Sequence, residues 1–93
     1  MYNLRMEIEY DPAKATSNLE KHGVPFEEAA TVLYDPLALV QEDYDSKNEN
    51  RWVLVGLSNQ ARLLTVVYTL RNEDTIRLIS ARKATRNEAK YYA

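Results

Sequence analysis

Apolar and polar positions alternate near the N-terminus and then take up a helical spacing. The alternation of Met6–Tyr10 predicts a strand with one buried face. Asp11-Pro12 follows, and because aspartate is a favourable N-cap and proline suits the first helical turn, a helix should begin here. It should run to about His22 and end at Gly23, since glycine readily adopts the left-handed conformation that closes a helix.

A second helix is predicted directly after the first. It opens at Pro25 with the acidic pair Glu27-Glu28, which places negative charge at the positive end of the helix dipole. It should stop at Asp35-Pro36, because residues before proline avoid the helical region. Its apolar stripe consists of Ala29, Ala30, Val32 and Leu33.

The rest of the chain favours sheet. Leu63–Leu70 and Thr75–Ala81 are largely apolar on both faces, which places them at the centre of the sheet. Helices should cover one side of it, and a partner or substrate part of the other. The remaining predicted segments are strands at Leu37–Gln41 and Trp52–Leu57, a polar loop at Asp43–Asn50, turns at Asn59-Gln60 and Arg71–Asp74, and a last helix within Lys83–Tyr92. The order β-α-α-β-β-β-β-α predicts an α+β domain with a mostly antiparallel sheet.

Composition limits the class of protein. The 93 residues suit one compact domain, 1–93, and 45% hydrophobic residues suffice for a buried core. No apolar run is long enough to span a bilayer and the first ten residues are too polar for a signal peptide, so we expect a cytoplasmic protein. The absence of cysteine excludes disulfides, and with a single histidine it argues against structural zinc. The acids Glu42, Asp43 and Asp45 lie in a loop, so a two-metal nuclease is disfavoured and no cofactor is expected.

Charge is distributed unevenly along the chain. Residues 1–50 carry four Lys and Arg against eleven Asp and Glu, a net charge of −7, whereas residues 51–93 carry eight against three, a net charge of +5. A basic half made mostly of arginine suits phosphate, because guanidinium binds phosphate oxygens in a bidentate fork. The alternative, equally open on charge alone, is that the two halves simply pair with each other.

Two arginines belong to the predicted hairpin. Its connection should place Arg71 opposite Arg77 and Tyr68 opposite Ser80. Like charges facing each other destabilise a strand pair, so an anion held between the two arginines would explain them. The alternative is that each pairs with a carboxylate of the turn or of the acidic half, an interpretation that suits Arg71 better than Arg77.

More basic residues lie where the last strand meets the last helix. Arg82, Lys83 and Arg86 cluster there, and Arg51 and Arg62 add charge from other strands. A helix N-terminus also offers free N–H groups to an anion. Each residue alone is as well explained by solvation, but together they predict a basic surface supported by the sheet.

The first helix carries the candidate proton-transfer groups. Histidine exchanges protons readily near neutral pH, so His22 is a candidate general acid or base, and Lys14 is a candidate phosphate contact. Equally, His22 at a helix C-terminus can complement the helix dipole, and Lys14 can face solvent. Aromatic residues that offer stacking surfaces to bases are Trp52, Tyr68, Tyr91 and Tyr92, although core packing suits the first two better.

Two sequence blocks, Lys21-His22-Gly23 followed by Phe26–Ala29, and Ile79–Thr85, resemble the signature of the BrnT toxins. The resemblance extends from about Glu7 to Tyr92. It implies a RelE-like fold, the toxin half of a type II toxin–antitoxin pair, cleavage of RNA and arrest of translation. It also implies a BrnA-like ribbon-helix-helix antitoxin that binds operator DNA, and a toxin dimer within the complex.

The preferred hypothesis is therefore a metal-independent endoribonuclease in which the ribose 2′-OH attacks the adjacent phosphate. The residues expected to act are Arg77 and Arg82 for charge stabilisation, Arg51 or Arg62 in support, and His22 or Lys14 for proton transfer or phosphate positioning. The expected substrate-binding set is completed by Tyr68, Arg71, Ser80, Lys83 and Arg86. The alternative is a non-catalytic module that binds the antitoxin and masks RNA. The nuclease hypothesis requires the guanidinium groups to converge on one patch rather than each pair with an internal carboxylate.

Overall fold

The computed structural model describes residues 6–43 and 50–92. Its elements follow the predicted order, which confirms the α+β class. They are β1 (Glu7–Glu9), α1 (Pro12–His22), α2 (Phe26–Thr31) continued by a 3-10 turn (Val32–Tyr34), β2 (Leu39–Glu42), β3 (Arg51–Leu57), β4 (Leu63–Arg71), β5 (Thr75–Lys83) and α3 (Arg86–Tyr91). Most of the predicted polar loop, 44–49, lies outside the described residues. Among the helices described, none has the length and apolar character needed to cross a bilayer.

The five strands form one sheet in the order β1-β5-β4-β3-β2. β1 runs parallel to β5, and the other neighbours are antiparallel. Alternate residues of a strand point to opposite faces. One face carries the core side chains Leu64 and Val66 of β4, packed with Phe26 and Val32 from α2 and the turn after it. We call this the helix face.

The opposite face, here named the outer face, carries Thr65, Val67 and Thr69 of β4. α3 lies against one end of it, because Glu88 of α3 accepts a hydrogen bond from the Thr65 hydroxyl at 2.9 Å. Helices therefore cover the two faces of the sheet to different extents. Helices α1 and α2 seal the helix face, whereas α3 covers the outer face only in part.

The start and end of α1 agree with those predicted from its capping residues. The carboxylate of Asp11 accepts a hydrogen bond from the Ala13 amide at 2.8 Å, as an N-cap should. Gly23 has φ +70°, and its N–H donates to the Leu19 carbonyl at 2.9 Å, which closes the helix. A side chain at Gly23 would be strained, so glycine is required by the backbone here.

The predicted pairing of Arg71 with Arg77 is wrong. Arg71 lies opposite Thr75, and Arg77 lies opposite Thr69. The cause is a tight turn over 72–74 with Asn72 at φ +60°, which closes the hairpin directly at Arg71. The two arginines are thus two positions apart in register and do not face each other.

The predicted pairing of Tyr68 with Ser80 is also wrong. The same tight turn sets Tyr68 opposite Leu78, and a register shift between Val67 and Tyr68 then sets Val67 opposite Ser80. Such a bulge places one extra residue in β5 and cannot be read from alternation alone. Tyr68 therefore points to the helix face, and Ser80 to the outer face.

The last strand is longer than predicted. β5 continues to Lys83, and α3 begins only at Arg86. Thr85 is the N-cap: its hydroxyl accepts from the Glu88 amide at 3.1 Å, while the Glu88 carboxylate accepts from the Thr85 amide at 2.8 Å. This reciprocal capping box fixes where the strand gives way to the helix.

Candidate active site

One row of side chains crosses four strands of the outer face. Glu9 of β1 lies beside Arg77 of β5, Arg77 beside Thr69 of β4, and Thr69 beside Arg51 of β3. Residues paired in register point to the same face, so these four side chains share one edge of the outer face. We name them the arginine row. Arg71 projects from the same face of β4, two residues beyond Thr69.

Glu9 holds two arginines at once. Its Oε2 accepts from Nη1 of Arg77 at 2.8 Å and from Nη1 of Arg71 at 3.0 Å. The hydrogen bond from Arg77, followed by that from Arg71, lowers the pKa of Glu9 below its ordinary value, and desolvation opposes this shift. Glu9 is 42% exposed, and no described residue donates to its Oε1. The carboxylate is therefore charged, oriented and open on one side.

An open polar cleft of about 460 Å³ adjoins the arginine row. Its walls comprise Glu9, Asn50, Thr69, Leu70, Arg71, Asn72 and Thr75. Thr69 is buried, and its hydroxyl donates to the Asn50 carbonyl at 2.6 Å, which holds β4 and the start of β3 together. A cleft rich in polar groups beside guanidinium groups suits the sugar–phosphate backbone of a nucleic acid.

Arg82 lies at the other end of the outer face, in a separate cluster. Its Nη1 and Nη2 bond the two oxygens of Glu88 at 2.7 and 2.9 Å. These hydrogen bonds are the main reason why the pKa of Glu88 falls to about 2, and they raise the pKa of Arg82 in return. The Thr65 hydroxyl and the Thr85 amide also donate to Glu88. The pair thus attaches α3 to the sheet.

Arg62 lies in a third cluster, away from the arginine row. Its Nε and Nη2 bond the carboxylate of Glu28 in α2 at 2.9 and 2.6 Å, and Nη2 reaches the Gly23 carbonyl at 3.3 Å. The Ser58 hydroxyl also donates to Glu28 at 2.7 Å. Glu28 is buried, and the hydrogen bond from Arg62 is the main cause of its lowered pKa. This cluster joins α2 to the β3–β4 turn.

The structure does not bring the predicted proton-transfer groups to the arginines of the outer face. Lys14 and His22 are exposed on α1. α1 packs against the helix side of β5, where buried Asn18 bonds the backbone of Ala81. Neither side chain forms a hydrogen bond or ion pair with Arg77 or Arg82 in the described part of the chain, and their catalytic role stays a prediction.

The other predicted contacts divide between the two faces. Tyr68 is 9% exposed and belongs to the hydrophobic core, as the packing interpretation expected. Ser80 lies on the outer face between the positions of Arg77 and Arg82. Lys83 and Arg86 are exposed around the start of α3. Only some of the expected substrate contacts therefore share a surface.

Pairing between the two halves explains part of the charge asymmetry. Arg62, Arg71 and Arg77 all bind carboxylates from the acidic half, namely Glu28 and Glu9. Even so, two guanidinium groups converge on the single carboxylate of Glu9, which leaves that group with a net positive charge. The predicted convergence on one patch is therefore not found. Arg62 and Arg82 lie in separate clusters, and Arg71 and Arg77, which do meet, are both bound to an internal carboxylate.

Glu9 was missed by sequence reasoning. It lies in β1, and its partner Arg77 is 68 positions away along the chain. The available signal was its place in the alternation of Met6–Tyr10, which puts it on the polar side of the strand. Nothing in that pattern indicates that β1 runs parallel beside β5.

Comparisons with known proteins agree with this architecture. A family model described as "Ribonuclease toxin, BrnT, of type II toxin-antitoxin system" matches residues 10–88. The fold is similar to the 1.1 Å crystal structure of the Brucella abortus ribonuclease toxin BrnT, with a TM-score of 0.67 and 25% sequence identity. That likeness covers 87% of this chain and 99% of the Brucella chain. A search of curated proteins found no match.

Proposed function

Because the chain belongs to the BrnT family, the ribonuclease toxins of type II toxin–antitoxin systems, we propose that the arginine row is its cleavage site and works without a metal ion. The ribose 2′-OH attacks the neighbouring phosphorus, the bond from phosphorus to O5′ breaks, and the products are a 2′,3′-cyclic phosphate and a free 5′-OH. No metal ligand or cofactor takes part in this scheme. The main demand on the protein is stabilisation of charge on the phosphoryl oxygens.

The observation that carries this proposal is the convergence of Arg71 and Arg77 on Glu9. Each guanidinium uses one nitrogen for the carboxylate, at 3.0 and 2.8 Å, so its remaining N–H groups are available to phosphate. Arg71, which lines the cleft, is 55% exposed, and Arg77, which shares Glu9 with it, is 30% exposed, so both are accessible to solvent. Arg51 extends the same row across β3. Arg82 is a second candidate phosphate contact once Glu88 releases it.

The biological role follows from the family. A ribonuclease toxin of a type II system has RNA as substrate and a protein antitoxin as partner. We further propose that this toxin acts in the cytoplasm by arresting translation, and that its antitoxin is a BrnA-like ribbon-helix-helix protein. The antitoxin, not the toxin, would contact operator DNA, and the toxin would be dimeric within the complex. Support for a protein partner comes from an apolar groove of about 440 Å³ between α3 and β2, whose walls include Leu39, Val53 and Tyr91.

A chelator assay tests the proposed cleavage. Antitoxin-free protein is incubated with a synthetic oligoribonucleotide in EDTA, and the products are examined for a cyclic phosphate terminus. Arg77→Ala should lower the cleavage rate about 100- to 1,000-fold, the loss usual for one donor to a developing oxyanion. Lys21→Ala, an exposed change on α1, is the control for loss of one positive charge.

Three outcomes contradict the proposal in different ways. Cleavage only after addition of magnesium indicates a metal-dependent site. Binding of RNA without any cleavage indicates the non-catalytic alternative. Wild-type rates in Arg77→Ala place the site elsewhere on the protein. The corresponding variants Lys14→Ala and His22→Ala should lose less activity than Arg77→Ala, since neither side chain bonds Glu9 as Arg77 does.

A further inference from the structure

We propose that Glu9 is the general base that takes the proton from the attacking 2′-OH. This inference rests on the proposed metal-independent cleavage at the arginine row and adds a catalytic residue to it. General bases of this kind must lie within hydrogen-bonding reach of the proton they remove and must be accessible to the substrate. Glu9 is accessible from its position on β1 at the wall of the polar cleft, where a bound ribose would come within reach of its carboxylate.

The two oxygens of Glu9 have different surroundings. Oε2 accepts both guanidinium hydrogen bonds, from Arg77 at 2.8 Å and Arg71 at 3.0 Å. Oε1 accepts none from the described part of the chain and belongs to a side chain that is 42% exposed. One oxygen is therefore fixed by arginine, and the other is free to accept a proton from a bound ribose.

Glu28 and Glu88, which also pair with arginine, lack such a free oxygen. In Glu28, Oε1 accepts from Arg62 and Oε2 from both Arg62 and Ser58, and the side chain is buried. In Glu88, both oxygens bind Arg82, and Oε1 is further occupied by Thr65 and Thr85. Compared with Glu28 and Glu88, Glu9 alone combines accessibility with an open acceptor.

The arrangement also holds the phosphate next to the base. With one N–H of each guanidinium on Oε2, the other N–H groups of Arg71 and Arg77 can grip the non-bridging phosphoryl oxygens of a nucleotide in the cleft. A ribose on that phosphate then has its 2′-OH near Oε1. The same arginines orient the base and stabilise the anionic transition state. Because base and phosphate are then held side by side, the reaction also gains from proximity.

The step balances without any further reactant except solvent. The proton of the 2′-OH passes to Glu9 Oε1 as the bond from O2′ to phosphorus forms. The bond from phosphorus to O5′ breaks, and O5′ takes a proton from water. Glu9 then returns its proton to solvent, so the protein is unchanged and RNA is split into a cyclic phosphate and a 5′-OH.

The same ion pairs allow a competing explanation with the opposite consequence. If Glu9 only occupies the place of a phosphate, its removal frees two arginines and cleavage should accelerate. If Glu9 is the base, its removal should slow cleavage while leaving RNA binding intact or tighter, because a negative charge is lost from the cleft. The sign of the effect separates the two explanations.

The test compares Glu9→Gln, Glu9→Asp and Glu7→Gln with the wild-type protein. Glu7 is a matched control, since it lies on the same strand and face, is exposed, and makes no ion pair with any residue in the described ranges. Single-turnover cleavage of an oligoribonucleotide is measured in EDTA. Binding is measured with a 2′-O-methyl oligoribonucleotide, which has no attacking hydroxyl, and folding by circular dichroism.

Glu9→Gln should cleave about 100- to 10,000-fold more slowly, the usual contribution of general acid–base catalysis, and should bind the methylated oligomer at least as well. The cleavage rate of Glu9→Asp should lie between those of Glu9→Gln and the wild type, and Glu7→Gln should cleave at the wild-type rate. A pH profile adds a second readout. The charged groups that contact Glu9 are Arg77 from β5 and Arg71 from β4, so the wild-type rate should fall only below pH 4.5, and Glu9→Gln should lack this acid limb.

Three results would overturn the assignment. Equal or faster cleavage by folded Glu9→Gln leaves the ribonuclease intact and removes only the role of Glu9. Parallel loss of cleavage and binding assigns Glu9 to substrate binding instead. Absence of chelator-resistant cleavage in the wild-type protein rejects the proposed function itself, and the general base with it.

Discussion

Asn18 of α1 exchanges two hydrogen bonds with the backbone of Ala81 in β5. Its Nδ2 donates to the Ala81 carbonyl at 2.8 Å, and its Oδ1 accepts from the Ala81 amide at 3.0 Å. β1 pairs with β5 only over Thr75–Arg77, so within the described residues the edge of β5 beyond that point has no neighbouring strand. Asn18 takes the place of the missing strand and joins the first helix to the sheet.

Replacement of Asn18 should therefore destabilise the fold strongly. Asn18→Ala also removes the bond to the Val24 carbonyl at 3.0 Å and leaves buried backbone groups unpaired, a loss of about 3 kcal/mol in the free energy of unfolding. Ser17→Ala, an exposed change at the next position, is the control and should have little effect. Urea titration of both variants measures the difference. A loss in Asn18→Ala no larger than in Ser17→Ala would show that solvent satisfies the edge of β5.

The ion pairs of Arg62 and Arg71 should differ in their importance for stability. Glu28, the partner of Arg62, is buried, whereas Glu9, the partner of Arg71, is 42% exposed. A buried carboxylate without its partner is costly, and an exposed one is solvated. Arg62→Ala should thus lower the urea midpoint clearly, and Arg71→Ala only slightly. The same loss in both variants would contradict this reasoning.

Sequence patterns located the elements because their signals are local. The N-cap Asp11 and the left-handed Gly23 each act within a few residues, and both positions were predicted correctly. The hairpin register was missed since alternation does not fix the length of the turn, and Asn72 at φ +60° closes this one directly at Arg71. Only part of the candidate site could be predicted, because some of its contacts join residues far apart in the sequence. Arg77 stands out in an apolar strand, but its contact with Glu9 arises from pairing between strands at opposite ends of the chain.

Glu88 should make stability depend on acid pH. Hydrogen bonds, chiefly from Arg82, lower its pKa in the folded protein from 4.5 to about 2, whereas in the unfolded chain the ordinary value returns. A lowered folded pKa gives stability that is complete above pH 4.5 and is lost as pH falls from 4.5 toward 2. Glu88→Gln should cost about 2 kcal/mol at pH 7, as expected for hydrogen bonds to a charged group.

The measurement is the difference in unfolding free energy between the wild-type protein and Glu88→Gln across that pH range. Other carboxylates, including Glu28, also have a lowered pKa and weaken the protein in acid, but they are common to both chains and cancel. The difference should shrink steadily between pH 4.5 and 2. A difference that stays constant would mean that Glu88 acts through packing of α3 rather than through its charge.

The salt dependence of RNA binding should distinguish the two arginines that sequence analysis ranked first. Arg77 donates one hydrogen bond, from Nη1, to the half-exposed carboxylate of Glu9. Its other N–H groups can therefore hold a phosphate without breaking this ion pair. Arg82 has both terminal nitrogens on Glu88 and must give up two hydrogen bonds first. A phosphate contact on single-stranded nucleic acid contributes about 0.7 to the slope of log K against log salt concentration. Arg77→Ala should reduce the slope for a 2′-O-methyl oligoribonucleotide by about that amount, and Arg82→Ala by less. A larger reduction in Arg82→Ala would mean that RNA displaces Glu88 on binding, and that the substrate path runs along β5 beneath α3.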